Sequence, residues 1–262
     1  MLRCFEHLFE RPLKIGTFLR GRFQILRYIG KGSYGQVYLA FDQDKKQTVV
    51  VKQHRERKDK KSKEMLKKEA ITLSKLNHPS IPKYIDLFQE NQKWFLVMDY
   101  IDGSNFEDLI LNGSQTYGEK ESLQILVKVL IVVKYLHENQ LIHRDLRLPN
   151  IINKEGQLFV IDFGLAVFGE IDDLSQTANI NPEKTLFREQ SFKSDFYALG
   201  HFLLFLLYSR FQPTSQKEQS WEEELTITTE TKNIIRKLLR IKGQYHSIDE
   251  VLHDVEALIE KL

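Results

Sequence analysis

The run His143-Arg144-Asp145-Leu146-Arg147-Leu148-Pro149-Asn150, followed twelve residues on by Asp162-Phe163-Gly164, constrains this chain more than any other feature. It sets a carboxylate, a side-chain amide and a second carboxylate at fixed intervals. Asp145 can accept the proton of an attacking hydroxyl. Asn150 and Asp162 offer hard oxygen ligands, of the kind Mg²⁺ takes while water and phosphate oxygens keep its other positions. His-Arg-Asp alone arises often by chance. With Asn five residues after the Asp and Asp-Phe-Gly beyond it, the set has the spacing of a phosphoryl-transfer site. A fold that uses it must bring residues scattered along the polypeptide into one cleft.

Upstream, Gly30-Lys31-Gly32-Ser33-Tyr34-Gly35-Gln36-Val37 reads G-x-G-x-x-G-x-V. Glycines let a backbone approach phosphates closely. A dinucleotide-binding turn carries the same glycines, but between a strand and a helix. Here Val37-Tyr38-Leu39-Ala40 alternates and favours strand, so the turn joins two strands. After a polar turn, Thr48-Val49-Val50-Val51-Lys52 reads as a buried strand ending in lysine. Residues 63–76 place Met65, Leu66, Ala70, Leu73 and Leu76 at helical spacing and carry two glutamates, Glu64 and Glu69. Residues 94–103 read as an apolar strand running into an Asp-Gly turn. Ser122 to Leu136 predicts an amphipathic helix with Leu123, Leu126, Val127, Leu130, Val133 and Leu136 on one side. The apolar run Phe202 to Leu207 falls far short of the roughly 20 residues that span a bilayer, so it reads as buried core.

Glycine loop, strand lysine, His-Arg-Asp with its Asn, and Asp-Phe-Gly, in that order, resemble the signature set of the protein-kinase superfamily. The short build, His143 to Asn150, and Asn181-Pro182-Glu183 in place of Ala-Pro-Glu resemble the eukaryotic-like (Hanks-type) serine/threonine kinases of bacteria, the short soluble type seen in bacilli. The resemblance covers roughly residues 18–260. It implies an α+β, two-lobed protein-kinase-like fold, with a β-rich N-lobe holding one helix (about 18–98), a hinge (99–102) and a mainly helical C-lobe (103–262). Residues 1–17 would form an extension with a short amphipathic helix, Leu2, Phe5, Leu8 and Phe9 sharing its face.

The resemblance also implies the chemistry: ATP with Mg²⁺, or Mn²⁺ in its place, and transfer of the γ-phosphate to Ser or Thr hydroxyls of protein substrates, the chain itself included. Asp145 is then the base, and Arg147 stands where such enzymes usually carry lysine. Lys52 contacts the α- and β-phosphates and pairs with a helix glutamate. That glutamate is Glu69, eight residues before Asn77-His78-Pro79, with Glu64 left as a solvated partner of Lys68. The nucleotide site comprises Ile29, Gly30, Lys31, Gly32, Ser33, Tyr34, Gly35, Val37, Val50, Lys52, the gatekeeper Met98, the backbone of Asp99 to Ile101, and Ile152. Asn150 and Asp162 hold the metal, while His143 and Phe163 pack. Asp195 anchors the backbone of the catalytic loop. Residues 164–183 form the activation loop, with Ser175 and Thr177 as hydroxyls that a phosphate could occupy, facing Arg144. The arginine that usually pairs with the Ala-Pro-Glu glutamate aligns with His246.

A net charge of +2 argues against a dedicated nucleic-acid binder. One cysteine, Cys4, gives no disulfide framework and suits a reducing cytosol. No signal peptide or spanning segment is visible, so a cytoplasmic protein without a transmembrane segment is expected. The basic stretch from Arg55 to Lys68 reads as a solvated face, or as a docking site for an anionic partner. Two rivals stand beside the enzyme reading: a pseudokinase scaffold, and a small-molecule kinase on the same fold. Lys52, Asp145, Asn150 and Asp162 are all present, against the first. Arg144 and Arg147 weigh against the second.

Overall fold

The computed structural model describes residues 11–31, 35–54, 59–169, 182–212 and 219–262, the side chains of 59–61 and 182–184 excepted. The expected N-terminal amphipathic segment, Gly32-Ser33-Tyr34, residues 55–58, Ser175, Thr177 and Asn181 lie outside the described residues. The chain divides into two compact units, Met1–Ile101 and Asp102–Leu262.

The first unit is built on strands β1 (Phe18–Leu19), β2 (Phe23–Lys31), β3 (Gly35–Asp42) and β4 (Gln47–His54), helix α1 (Asp59–Lys75), and strands β5 (Tyr84–Glu90) and β6 (Lys93–Asp99). The strands form one antiparallel six-stranded sheet in the order β1-β2-β3-β4-β6-β5. Period-two alternation decides which side of it is dry. Tyr38, Ala40, Val49 and Val51 are wholly buried, while their neighbours Val37, Leu39, Val50 and Lys52 are half-buried. The dry face gathers Phe23, Ile25, Phe88, Phe95 and Val97 into one cluster. Within it Phe88 stacks between Phe23 and Phe95, with ring centroids 5.9 and 5.4 Å away. Helix α1 begins four residues before the expected Lys63 and buries Leu66, Ala70 and Leu73. It packs on β4, β5 and β6.

The second unit opens with β7 (Ser104–Asn105) and α2 (Glu119–Glu138). The short strands β8 (Leu141–Ile142), β9 (Ile151–Lys154), β10 (Gln157–Val160) and β11 (Val167–Phe168) follow. Helices α3 (Pro182–Arg188), α4 (Phe192–Tyr208), α5 (Trp221–Glu224), α6 (Thr229–Leu238) and α7 (Ile248–Ile259) complete it. Its core is α2 against α4 and α7, with α6 on α4. Because two helices cover α2, its buried surface is wider than one stripe. Val129 and Val132 join the expected Leu123, Leu126, Leu130, Val133 and Leu136, whereas Val127 is only half-buried. The run Phe202 to Leu207 lies in α4 and is buried except at Phe205. No described helix is long and apolar enough to cross a membrane. A β-rich unit with one described helix and a mainly helical unit are the α+β division expected from the sequence.

Candidate functional site

Strand register gathers the first unit's share of the site. Gly30, Val37, Lys52 and Leu96 form one cross-strand row, and Arg27, Leu39, Val50 and Met98 form the next. Residues paired across a ladder share a face, as do residues two apart along a strand. Gly30, Val37, Val50, Lys52 and Met98 therefore lie together on the face opposite the dry core. Two glycines differ in what demands them. A Cβ on Gly35 would stand 1.6 Å from the Gln53 carbonyl oxygen, so the β3–β4 pairing itself requires glycine. A Cβ on Gly30 would meet nothing within 4 Å. The fold leaves that space open, as a cradle for an approaching phosphate does.

Lys52 Nζ meets Glu69 Oε1 at 2.6 Å, with the side chains 18% and 2% exposed. Of the two glutamates on α1 it is Glu69 that reaches the strand lysine; Glu64 is exposed. At the end of β6 the Asp99 N–H donates to the Lys83 carbonyl at 3.0 Å, and Asp99 Oδ2 accepts from the Lys83 N–H. The expectation that the Asp99 to Ile101 backbone receives adenine thus narrows: the amide of Asp99 is already engaged. In the basic stretch, Lys63 and Lys67 lie over the Trp94 ring rather than in open solvent.

In the second unit one hairpin presents both expected metal ligands. Ile151 pairs with Val160, and at the next step the Ile161 N–H donates to the Asn150 carbonyl at 3.0 Å. Asn150 and Asp162 thus flank the same end of β9–β10. Asp162 takes a left-handed backbone, φ 66°, and so does Arg144, φ 64°. Such angles cost roughly 1–2 kcal/mol in a residue with a Cβ, and sites of function are where such cost is met. The neighbours of Arg144 show what holds it. Asp195, wholly buried, accepts the N–H groups of His143 and Arg144 at 2.9 and 2.8 Å and sits 3.0 Å from His137 Nε2. The Arg144 guanidinium donates to the Arg188 carbonyl.

Asp145 is the centre of a knot. Arg147 forks onto it, Nε to Oδ1 at 2.9 Å and a terminal nitrogen to Oδ2 at 3.2 Å. Asn150 Nδ2 donates to Oδ2 and to the Asp145 carbonyl, both at 2.9 Å. The Arg188 guanidinium lies 3.5 Å from Oδ1. Arg147, which stands where the resemblance implies a lysine, here fixes this carboxylate. Behind the knot the buried His143 ring meets Phe163 edge-on, centroids 4.8 Å apart. Its Nδ1 accepts the Asp145 N–H at 3.3 Å, which leaves the proton on Nε2 to reach the Ile161 carbonyl at 3.2 Å. Burial holds its pKa below the ordinary imidazole value, against the pull of Asp195, Asp145 and Asp162. This residue is a neutral wedge.

Sequence reasoning missed His137 and Arg188. Neither sits in a motif or at a telling interval; each matters because of where a distant helix ends. His246, which the resemblance aligned with the arginine that pairs with Glu183, has an exposed side chain. Its N–H donates to Glu250, and elsewhere Arg240 pairs with Glu189, just past α3. The Glu183 side chain lies outside the described residues.

A family model for the protein kinase domain matches residues 23–262. Among curated proteins the chain is similar to a probable serine/threonine-protein kinase of Bacillus subtilis, YbdM, at 37% identity over 97% of this chain and 96% of that one. It is similar to serine/threonine-protein kinase B of Synechocystis at 31% identity, over 91% of this chain and 47% of the relative. The kinase PrkC of Bacillus subtilis matches at 32% identity over 75% of this chain and 32% of its own length. The chain thus spans nearly all of the first of these relatives and half or less of the other two.

Proposed function

The chain belongs to the protein kinase family, and on that premise we propose that it transfers the γ-phosphate of ATP to serine and threonine hydroxyls of proteins, with Asp145 as the proton acceptor. The observation that carries this reading is the knot around Asp145. A base must be held at hydrogen-bonding distance from the hydroxyl it deprotonates, and the fork of Arg147 with the amide of Asn150 fixes this carboxylate in direction. Lys52, steered by Glu69, would neutralise the α- and β-phosphates. Gly30, Val37, Val50 and Met98 would face the nucleotide, with Ile29 and Lys31 beside them, Ile152 from the second unit, and the carbonyl of Asp99 and backbone of Ile101 meeting the adenine edge.

The residues fit a divalent cation. Because the Nδ2 end of Asn150 is bound to Asp145, its carbonyl oxygen is the end left for a cation, and Asp162 adds a carboxylate. Two oxygen donors suit Mg²⁺, or Mn²⁺ in its place, which fills its remaining positions with water and phosphate oxygens. Once bound, the ion would supply neutralisation of phosphate charge.

Incubation with labelled ATP and Mg²⁺ tests the assignment. Asp145→Asn is expected to lower phosphate incorporation by about 10²-fold or more, the usual share of general-base catalysis, while nucleotide affinity stays within a few-fold of wild type. Undiminished incorporation would remove Asp145 from its role. Phosphorylation of a sugar or antibiotic, but of no protein, would redirect the reading to a small-molecule kinase.

A further inference from the structure

Helix α1 carries Glu69 to Lys52, yet its buried face alone does not set where it stops. Leu66, Ala70 and Leu73 make apolar contacts, which are non-directional and tolerate small slides and rotations. Directional contacts must fix the register. The Lys52–Glu69 pair itself is one, and a second is on Trp94.

Trp94 lies at the start of β6, two residues before Leu96, the cross-strand partner of Lys52. It pairs with Gln89 of β5, and its backbone N–H donates to His54 Nδ1 of β4 at 2.8 Å. The backbone of Trp94 is thus tied to both neighbouring strands. Over its ring stand two ammonium groups of α1, Lys67 Nζ at 3.9 Å from the centroid and Lys63 Nζ at 5.5 Å. Lys63 and Lys67 are one helical turn apart and so reach the same ring. The indole N–H is buried without a hydrogen-bond partner among the described residues. Hydrogen bonding therefore does not explain the ring's placement, whereas two cations on its face do.

We propose that Trp94 and Lys67 form a cation–π latch that holds α1 where Glu69 meets Lys52, which makes them positioning residues for phosphotransfer. The proposal rests on the reading of the Lys52–Glu69 pair given above. It also gives part of the basic stretch a task inside the molecule rather than on a partner.

The test uses the full chain carrying Trp221→Phe, so that Trp94 is the sole indole of the two in the sequence. Lys67→Met keeps the aliphatic stem and removes the charge; Lys67→Arg returns a cation to the ring. Lys67→Met is expected to lower kcat about 3- to 10-fold, the range a partly desolvated cation–π contact spans, with an altered Trp94 emission. Lys67→Arg should restore kcat to within about 2-fold. In a Glu69→Gln background Lys67→Met should cost nothing further, because the latch acts through Glu69. Full kcat in Lys67→Met, unchanged emission, or the same fractional loss in the Glu69→Gln background would each overturn the latch. Glu69→Gln alone keeps the two failures apart. Full activity there removes the role of the ion pair and the proposal with it, whereas lost activity there beside an indifferent Lys67→Met removes only the latch.

Discussion

At the scale of single residues, His143 links the site's geometry to pH. Its ring is neutral, buried, and bonded as an acceptor at Nδ1. In the unfolded chain an imidazole takes up its proton near pH 6.5; in the fold, burial lowers that value for His143 and also for His78. Below about pH 6.5 the unfolded state therefore binds more protons than the folded one, and stability falls as pH falls. Above that pH the contribution is fully present. Asp42 acts in a lower window: its bond to Arg22 depresses a carboxyl whose ordinary value is 3.8, so its share is lost only at more acidic pH. Between pH 7.5 and 5.5 the histidines should dominate. The urea midpoint should drop across that range in the wild type. In His143→Gln it should be lower throughout but much flatter, His78 supplying the remaining slope. A wild-type midpoint that does not change between those values would contradict a neutral imidazole behind Asp145.

At the scale of elements, the two glycines of the β2–β3 turn separate folding from binding. Gly35→Ala would drive a Cβ against the Gln53 carbonyl and should cost about 2 kcal/mol or more, seen as a lowered melting temperature. Gly30→Ala meets open space, so its melting temperature should hold or rise slightly, since alanine loses less entropy on folding. Its effect should fall on KM for ATP, which should increase. An unchanged KM would mean that no phosphate comes close to that backbone. The same contrast marks how far the sequence could be read. Alternation marked Val37 to Ala40 as a strand because a strand's period is local, and the resemblance to the family, through the spacing before Asn77, chose Glu69 over Glu64. Contacts that depend on where one element ends relative to another left no periodic trace. Arg188 reaches Asp145 only because α3 stops there, and His137 meets Asp195 only because α2 and α4 cross at those residues. Val127 was misplaced for a similar reason, since the single-stripe pattern assumes one neighbour and α2 has two.

At the scale of the whole molecule, the residues assigned to the proposed reaction come from two units that each own a core. Lys52 and Glu69 belong to the first, and Asp145, Asn150 and Asp162 to the second. The first unit is the smaller, and small units bury a smaller fraction of their surface, so it should be the less stable. Each unit holds one of the chain's two tryptophans, Trp94 and Trp221. With Trp221→Phe and Trp94→Phe as single-indole reporters, the Trp94 signal should be lost at lower urea than the Trp221 signal. Phe23, wholly buried in the first core, provides the control. Phe23→Ala should destabilise that unit by about 3–5 kcal/mol, moving the Trp94 transition and leaving the Trp221 transition in place. Transitions that coincide and shift together would show instead that the chain unfolds as one cooperative body. The functional corollary is sharper than the structural one. If phosphotransfer needs Lys52 as well as Asp145, activity in rising urea must vanish along the Trp94 curve while the unit that carries the base is still folded.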